Sequence, residues 1–584
     1  VELTFPPATE IMEYLRSKKV EIEYFDFRHT TSRKVREQIL NRLNAGTSVV
    51  FLPGIIARSK GSLSDVPSPF LSTVGSLHLS LVPVFVGHYG DSVRNAFCYD
   101  DEPEYREEMR ILPQLHSGPQ TGERLLAAWL EIGAELYAAN PLLSRSLASE
   151  LVTSMREHPN VTITDGMTGA TLPYHRILGV SMTLARLLQK RGEARVGVIL
   201  PPGIGGVIAI LSCLLAGCTP VMINYSSSRS AFESTQKQAG LKTFITARKF
   251  MQKIPNFPWP AEDRLLLVED LVKILPKASL VSNVLMAKYA PPKLIQRMFE
   301  TDSRCGDAEG VMLFTSGSSG VPKGVTLTHR MILANASQCA CRFPLKDETF
   351  LGSLPIFHSF GLTVTLFLPL LCGFPMVTNP SPTDSRKLNE LIRKHKVTLL
   401  CATPTFARSM LRRAQPDTYR SVRYFIVGAE KLQPALEKEF REKCGVNLLE
   451  GYGLTETAPV DTLTAPNAPL IPGSAFYMPS QVPGTIGALL PGIAVRITDL
   501  EDDSRVLPLS EHGMLWYKGA NVFKGYVGRP ELNSEIFRDG WFKSGDVGSL
   551  DLNGFIKLGG RLTRFSKIGG EMVPHEGSEV IITE

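Results

Sequence analysis

Residues 315–324, which read TSGSSGVPKG, have the composition of a phosphate-binding loop. Glycine permits the tight turns that bring backbone N–H groups close to an anion. The stretch combines such glycines with hydroxyl groups and one positive charge, at Thr315, Ser316, Gly317, Ser318, Ser319, Gly320 and Lys323. An apolar run and the sequence VTLTH flank it, which disfavours the alternative of a flexible Gly/Ser linker. The spacing differs from G-x-x-x-x-G-K-[ST], so this is not a Walker loop.

Later motifs place a histidine, a tyrosine and carboxylates after apolar runs. They are LPIFHSFG with His358, VGAE with Gly428, Ala429 and Glu430, GYGLTET with Tyr452, Thr455 and Glu456, WFKSGDVG with Asp546, and GGR with Arg561. A tyrosine can stack on a base, and Mg²⁺ prefers one or two carboxylates plus phosphate oxygens. Alone, His358 is more often a packed core residue, and GYGLTET is compatible with a surface turn. The order of the motifs favours a functional site.

Together these motifs resemble those of the adenylate-forming enzymes, the superfamily of acyl-CoA synthetases, luciferases and peptide-synthetase adenylation domains. The resemblance implies that ATP and Mg²⁺ bind here and that the loop at 315–324 holds the phosphates. It assigns Tyr452 to adenine, Asp546 and Arg561 to the ribose, and residues 428–430 to the adenine and acyl pocket. Four residues are assigned to catalysis, namely Lys323, His358, Thr455 and Glu456, the last as the Mg²⁺ ligand.

The resemblance also bears on the substrate. Relatives that activate amino acids usually place an aspartate near the position of the run LTVTLFLPLLCG, residues 362–373, to bind the α-amino group. This chain has no aspartate there before Asp384. The resemblance therefore implies a plain acyl substrate, a fatty acid.

Alternating patterns predict the fold. Apolar runs at 196–201, 220–225 and 242–247 are separated by helical patterns at 205–216 and 230–239. Such alternation is typical of an α/β fold with doubly wound, mostly parallel sheets, and in such sheets ligands bind at the carboxyl ends of the strands.

The length of 584 residues predicts two to four domains. We expect a partial, degenerate glycerolipid-acyltransferase-like module at 1–115, a helical linker at 116–157, the adenylation domain at 158–560, and at 561–584 a hinge with the start of a small C-terminal domain. We expect both ends to be cut. In the resembled family a catalytic lysine lies beyond the position of Glu584, so we expect impaired turnover.

The N-terminal expectation rests on residues 26–54, DFRHTTSRKVREQILNRLNAGTSVVFLPG, which resemble the second half of a glycerolipid acyltransferase domain. Pro53 and Gly61 keep the spacing of that family's motif, whereas Gly54 and Ala57 stand where it has glutamate and arginine. No His-x4-Asp pair occurs in this region. Either that half precedes Val1 or the site has decayed, and we expect a catalytically inactive module.

Composition suggests the compartment. Hydrophobic residues make up 43% and charged residues 21% of the chain, as in ordinary globular proteins, and the net charge of +6 permits an acidic partner without indicating nucleic acid. The nine cysteines form no C-x-x-C pair, and no signal peptide is visible, which indicates a cytoplasmic protein. The apolar stretches at 207–223 and 362–377 are broken by Gly, Pro and Cys and predict core helices.

Residues 271–299, here called the basic segment, stand apart from this chemistry. They contain no acidic residue and five basic ones, Lys273, Lys277, Lys288, Lys293 and Arg297. Prolines predict short helices, with an apolar side formed by Val272, Leu275, Leu280, Val284 and Leu285. One interpretation is a packed surface helix with solvated lysines. The other is a docking surface for the inner face of a membrane or for an acidic carrier protein.

The domain plan resembles that of bifunctional bacterial acyltransferase/acyl-acyl-carrier-protein synthetases. It implies that a fatty acid and ATP give an acyl-adenylate and pyrophosphate, after which a phosphopantetheine thiol of acyl carrier protein takes the acyl group. Coenzyme A is the alternative acceptor. A phospholipid acyltransferase supplied by the adenylation domain is a further alternative, disfavoured by the absent His-x4-Asp. A non-catalytic nucleotide-binding scaffold is disfavoured by the intact motifs.

Overall fold

The structure is a computed structural model that describes most of the chain beyond residue 120. The described residues are 80–81, 84–89, 106–111, 115–116, 121–315, 321–343, 345–467, 479–561, 565–568 and 571–574. The acyltransferase-like motif at 53–61 and the loop residues 316–320 lie outside them. Before residue 120, two antiparallel pairs are described, Ser80–Leu81 with Leu115–His116 and Val84–Tyr89 with Arg106–Ile111.

The largest sheet has nine strands and is mainly parallel. In spatial order they are Ala488–Leu489, Thr462–Leu463, Leu448–Tyr452, Tyr424–Gly428, Leu399–Ala402, Phe350–Gly352, Met376–Thr378, Thr162–Asp165 and Thr171–Pro173. All neighbours from Leu448–Tyr452 to Thr162–Asp165 run parallel. These central strands are short apolar runs, and Tyr424–Gly428 is buried along its whole length, as expected for parallel strands covered on both faces.

A second sheet has six strands and contains the predicted β-α-β-α-β series. Its order is Leu265–Leu267, Phe244–Thr246, Arg195–Val198, Thr219–Met222, Glu309–Thr315 and Lys323–Thr328, and only the last strand is antiparallel. The helices Ile204–Ala216 and Arg229–Ala239 connect its strands, and each ends at a glycine in the left-handed conformation. The predicted α/β fold with mostly parallel sheets is confirmed.

A third, antiparallel sheet follows the first two in the chain. Its order is Ile493–Thr498, Gly513–Gly519, Trp541–Leu550 and Phe537–Arg538, with Ile556–Arg561 also paired to Trp541–Leu550. Beyond it, Phe565–Ile568 pairs with Glu571–Pro574. This third sheet carries Asp546 and Arg561, so it brings the last predicted motifs into contact with the rest of the site.

Helices cover the sheets and join them. The α-helices not yet given are Thr121–Ala138, Leu147–Glu157, Tyr174–Arg191, Arg248–Lys253, Val268–Ile274, Lys277–Tyr289, Pro292–Met298, His329–Arg342, Leu368–Leu371, Ser385–His395, Pro404–Arg412, Pro434–Cys444 and Pro530–Ile536. Short 3₁₀ turns occur at Pro141–Ser144, Glu262–Arg264, Thr301–Ser303 and Thr455–Thr457, and a π-helix at Phe360–Phe367. Within the described part of the chain, no helix is both long and apolar enough to cross a bilayer.

The basic segment forms three short helices, as its prolines predict. Pro276 and Pro291 precede the second and third of them. The predicted apolar side is only partly right, because Leu275 is buried whereas Leu285 is 53% exposed. The middle helix instead buries Asn283 and Ala287, one turn apart, and Leu285 lies about 160° around the helix from each of them, on nearly the opposite face.

A glycine sets how closely the middle helix approaches the domain. A Cβ atom on Gly179, in Tyr174–Arg191, would lie 2.6 Å from the Cα of Val284. We expect Gly179→Ala to lower the free energy of unfolding by about 1–3 kcal/mol, because the clash is with backbone. Urea denaturation followed by circular dichroism measures it.

The matched control is Gly205→Ala in the helix Ile204–Ala216, where an added Cβ has no atom within 4 Å. Alanine there should raise stability by up to about 1 kcal/mol through helix propensity. Equal shifts in the two variants would show that the close approach at Gly179 does not limit packing.

Candidate functional site

A cavity of about 340 Å³ opens at the carboxyl ends of the parallel strands Tyr424–Gly428 and Leu448–Tyr452. Its rim includes backbone of Gly428 and Ala429 and the turn at 451–455. Most of its wall is apolar, formed by Phe343, Leu345, Leu354, Val364, Leu368, Leu399, Phe406, Ile426, Val460 and Leu463. The carboxyl ends of parallel strands are where an α/β sheet is expected to bind ligands.

The turn after Tyr452 is held in a form that only glycine permits. A Cβ atom on Gly453 would lie 1.6 Å from the carbonyl oxygen of Pro459, and one on Gly428 would lie 2.8 Å from that of Gly451. Ala429 itself has φ 68°, a conformation that costs a non-glycine residue free energy and is typical of functional sites. The chain therefore folds back tightly around both strand ends.

Tyr452 and Asp546 meet across two sheets. The Tyr452 hydroxyl donates to one oxygen of Asp546, and Nε of Arg561 donates to the other at 3.1 Å. Asp546 is 1% exposed, and burial raises its pKa while the Arg561 guanidinium opposes the rise. Burial likewise raises the pKa of Tyr452. Three predicted site residues are thus joined in one hydrogen-bonded group.

Tyr526 joins a second group. Its hydroxyl donates to Oε1 of Glu456 at 2.6 Å, and Nζ of Lys323 lies 4.8 Å from the centre of its ring. The backbone N–H of Val527 also donates to the carbonyl of Gly324 at 2.9 Å. The strand that begins at Lys323 is therefore fixed beside Glu456, and Tyr526 links the two predicted catalytic residues.

A buried carboxylate supports the GYGLTET turn from behind. Thr457 Oγ1 donates to Oδ2 of Asp461 at 2.7 Å, and the side chain of Asn521 donates to the carbonyl of Thr457 at 2.8 Å. Asp461 is fully buried, and burial raises its pKa well above the usual value. The sequence motifs give no site role to Asp461, and they place Tyr526 only in the turn before the ribose site, without a role of its own. A signal was present, because an acid within the apolar run APVDTLT is unusual unless it is paired.

His358 lies on the rim of the cavity, against the ring of Phe357 at 4.5 Å between centroids. It is exposed to the cleft, yet the surrounding protein desolvates it and lowers its pKa. The imidazole is therefore neutral near pH 7. Next to it, Ser359 Oγ donates to Oγ1 of Thr455 at 3.4 Å, which places Thr455 in the same corner. The π-helix Phe360–Phe367 begins here, and π-helical turns are frequent at functional sites.

Glu430 lies apart from the other site residues. Its carboxylate accepts from the backbone N–H and the hydroxyl of Thr405, at 3.1 and 2.6 Å, at the start of the helix Pro404–Arg412. It does not line the cavity, although its neighbours do. A carboxylate at a helix N-terminus is stabilised by the free N–H groups there, so the position of Glu430 has a structural explanation.

The two strands that flank the phosphate loop show where the loop is attached to the sheet. Thr315 and Lys323 are paired across the antiparallel strands that flank it, so the loop leaves and re-enters the sheet beside Tyr526. Ser316, Gly317, Ser318, Ser319 and Gly320 lie outside the described residues and stay predictions. Among the described residues, no three His, Cys, Asp or Glu side chains converge on a metal position. The lone carboxylate Glu456 fits a cation that also binds phosphate oxygens.

The arrangement suits a molecule with four parts. Lys323 and Glu456 lie at the end where an anion with its counter-cation would bind. Asp546 with Arg561 offers hydrogen bonds to a polar group such as a diol, and the Tyr452 ring offers a flat apolar surface. The cavity beside them accepts an apolar tail.

Comparison with known proteins identifies relatives. The model of the AMP-binding enzyme family matches residues 151–527, which include the loop, His358, Tyr452 and Glu456 but not Asp546. A long-chain-fatty-acid–CoA ligase of Bacillus subtilis is 29% identical over 468 residues, which cover 76% of this chain and 81% of the relative. A medium-chain fatty-acid–CoA ligase of Escherichia coli is 26% identical over 447 residues, 75% of this chain and 76% of the relative. The crystal structure of ATP-bound MatB from Rhodopseudomonas palustris aligns with a TM-score of 0.59 at 26% identity and covers 73% of this chain and 81% of MatB.

Glu450, in the middle of the strand Leu448–Tyr452, makes the stability of the folded protein depend on pH. Burial raises its pKa from 4.5 to about 7, partly opposed by the backbone N–H of Leu432 at 3.3 Å. The folded protein binds this proton more tightly than the unfolded chain. The proton bound at Glu450 therefore stabilises the folded state fully below pH 4.5. This stabilisation is lost as the pH rises through about 7.

Through Glu450, the wild-type protein should lose up to about 3 kcal/mol of unfolding free energy between about pH 5 and about pH 8. We expect the Glu450→Gln variant to lack this loss, because glutamine does not titrate. Urea midpoints at several pH values measure this, with Glu439→Gln on the exposed face of Pro434–Cys444 as the control. An unchanged pH dependence in Glu450→Gln would contradict the assignment.

Proposed function

The chain belongs to the AMP-binding enzyme family, and from that premise we propose that it activates a fatty acid with ATP and passes the acyl group to a thiol. The observation that carries the proposal is the position of the apolar cavity directly beside Tyr452, Thr455 and His358. An acyl chain in the cavity ends with its carboxylate at the rim. At the rim the carboxylate lies beside Tyr452 and Thr455, which belong to the proposed ATP site. The fatty acid and ATP therefore react where the apolar cavity meets the nucleotide site.

In this proposal the nucleotide binds between two sheets. Asp546 accepts hydrogen bonds from the ribose hydroxyl groups, and Arg561 adds a donor beside them. The Tyr452 ring provides the stacking surface for adenine. Because Asp546 is already buried and held by hydrogen bonds, its position is fixed before ATP arrives. Preorganisation of this kind reduces the free energy lost on ordering side chains.

The phosphate groups lie toward Lys323, Thr455 and the loop at 315–324. Glu456 is the residue that would hold Mg²⁺, which supplies charge neutralisation on the phosphates when bound. The fatty-acid carboxylate attacks the α-phosphorus, a P–O bond to pyrophosphate breaks, and the acyl-adenylate forms. Lys323 stabilises the negative charge that develops, and the neutral His358 provides a hydrogen-bonding group without adding charge to the apolar rim.

The cavity supports an acyl substrate in particular. Its volume of about 340 Å³ is within the range of about 300–1000 Å³ usual for ligand pockets. Its described lining contains no aspartate or glutamate that could pair with an α-amino group. Each methylene buried there stabilises the complex by about 0.8 kcal/mol, so the walls favour long alkyl chains.

Two thiol acceptors remain candidates. The names of the fatty-acid–CoA ligases to which this chain is similar support coenzyme A. Acyl carrier protein is the acceptor that the sequence resemblance implies. The enzyme would act in the cytoplasm with either acceptor. Acyltransferase activity of the N-terminal region is not part of the proposal, because its motif positions hold Gly54 and Ala57.

We expect Asp546→Asn to weaken ATP–Mg²⁺ binding by roughly tenfold to a hundredfold, because charge-assisted hydrogen bonds contribute about 1.5–3 kcal/mol each. Isothermal titration calorimetry measures it. Asp539→Asn, an exposed change of the same kind in the turn that precedes the strand Trp541–Leu550, is the control. Wild-type affinity in a folded Asp546→Asn variant would remove Asp546 from the ribose site.

We expect pyrophosphate to form from ATP only when a fatty acid such as palmitate is present, and AMP to be released when a thiol acceptor is also added. Glu456→Gln should lower the rate on the order of a hundredfold, by loss of one electrostatic group at the phosphates, and Glu439→Gln should not. Parallel reactions with coenzyme A and with holo-acyl carrier protein identify the acceptor by the thioester formed. Product formation without a fatty acid, or an unaffected Glu456→Gln variant, would contradict the proposal.

A further inference from the structure

Exposed apolar side chains are concentrated in the basic segment. Of the eight large hydrophobic residues that are strongly exposed among the described residues, five belong to it. They are Ile274, Val281, Leu285, Tyr289 and Leu294, with exposed fractions of 63, 60, 53, 67 and 47%. Single exposed hydrophobic residues are normal on a protein surface, but a cluster marks an interaction site.

Helix geometry places the central three on one line. Val281, Leu285 and Tyr289 follow at intervals of four residues in Lys277–Tyr289, so they lie within about 80° of one another and span about 12 Å of the helix. Lys277 and Lys288 fall beside the same line. The apolar stripe is therefore bordered by ammonium groups, and Nζ of Lys288 lies 5.2 Å from the centre of the Tyr289 ring.

The opposite side of the segment is held firmly to the domain. Asn283 donates to Thr183 Oγ1 at 3.0 Å, and Gln296 donates to the carbonyl of Ser149 at 3.1 Å. Ala287 and Ile295 are fully buried. These hydrogen bonds and buried side chains attach the inner side of the segment to the domain. The outer apolar stripe is therefore not needed for the domain to fold.

The charged residues within the basic segment are all basic, and the exposed Glu300 directly follows it. Residues 271–299 contain no aspartate or glutamate. The nearest preceding acid, Asp270, is bound by Arg248 at 2.9 Å and lies 3.8 Å from Lys273, whose side chain is still 78% exposed. A partner that covers this surface must supply both an apolar layer and negative charge.

We propose that the basic segment docks the protein on a lipid bilayer that contains anionic lipids. The side chains of Val281, Leu285 and Tyr289 enter the boundary between headgroups and acyl chains, and the flanking lysines contact the lipid phosphates. Lysine can lay its alkyl stem along the apolar layer while its ammonium group reaches the headgroups, and tyrosine suits the same boundary. The segment lies on the membrane surface and does not cross it.

A bilayer fits the observations better than an acidic carrier protein. The stripe is the convex outer face of a single helix, and its three apolar side chains are each more than half exposed. A fluid apolar layer covers such a face without shape complementarity. The proposal does not depend on the enzymatic activity, since it rests on the surface of the segment alone.

The test is co-flotation of the full chain with vesicles of phosphatidylcholine alone or with part of it replaced by phosphatidylglycerol. We expect binding to the anionic vesicles that weakens with added salt. The variant Val281→Ser/Leu285→Ser/Tyr289→Ser should bind at least ~10-fold more weakly. Lys273→Gln/Lys277→Gln/Lys293→Gln should bind on the order of a hundredfold more weakly, at about fivefold for each cation.

Matched control variants test whether weaker vesicle binding is specific to the basic segment or follows from the loss of any exposed apolar or cationic side chains. Met167→Ser/Val506→Ser removes exposed apolar residues elsewhere, and Lys242→Gln/Lys438→Gln/Lys557→Gln removes three exposed cations elsewhere. Both should keep wild-type vesicle binding, and circular dichroism checks the fold of every variant. All the substituted side chains are exposed, so folded protein is expected.

Three results would overturn the proposal. One is that the wild-type chain does not float with anionic vesicles, and another is that the basic-segment variants bind like the controls. The third is that holo-acyl carrier protein binds the wild-type chain, and loses binding in the lysine variant, while vesicles do not bind. That result would assign the surface to an acidic protein.

Discussion

The hydrogen bond between the Tyr452 hydroxyl and Asp546 joins the nine-stranded sheet to the antiparallel sheet, and the geometry of the site depends on it. Asp546 is buried and Tyr452 is partly buried, and an aspartate without partners in such a place would cost free energy of several kcal/mol. Tyr452 and Arg561 satisfy its two oxygens. The partners of this one buried carboxylate therefore help to hold the two sheets together at the site, along with the hydrogen bond from Asn521 to Thr457.

Tyr526 has a similar effect at the other end of the cleft. It holds the Glu456 carboxylate through its hydroxyl and lies under the Lys323 ammonium group. Behind the same turn, Asp461 holds Thr457. These contacts keep the polar groups at the rim, so that the wall of the neighbouring cavity stays largely apolar. A polar end and an apolar end in continuous space are what an activated fatty acid requires.

The sequence predicts the local parts of this arrangement better than the distant pairings. Apolar runs and glycines are contiguous signals, so the strand before the loop at 315–324 and the turn after Tyr452 were predictable. Tyr452 and Asp546 are 94 residues apart, and Glu456 and Tyr526 are 70 apart, and no local pattern specifies such pairs. The sequence groups Leu285 with Leu275 on one apolar side, but Leu285 is exposed and Leu275 is buried. The buried face of a short helix depends on what the helix packs against, which the sequence of the helix does not specify.

The central claim is that nucleotide groups and an alkyl chain occupy one continuous site. It is tested most directly by calorimetry with a hydrolysis-resistant acyl-sulfamoyl adenosine, in palmitoyl and acetyl forms. The palmitoyl form should bind at least a hundredfold more tightly, because burial of only about four methylenes at about 0.8 kcal/mol each is sufficient for that difference. Equal affinities of the two forms would show that the cavity beside Tyr452 does not receive the acyl chain.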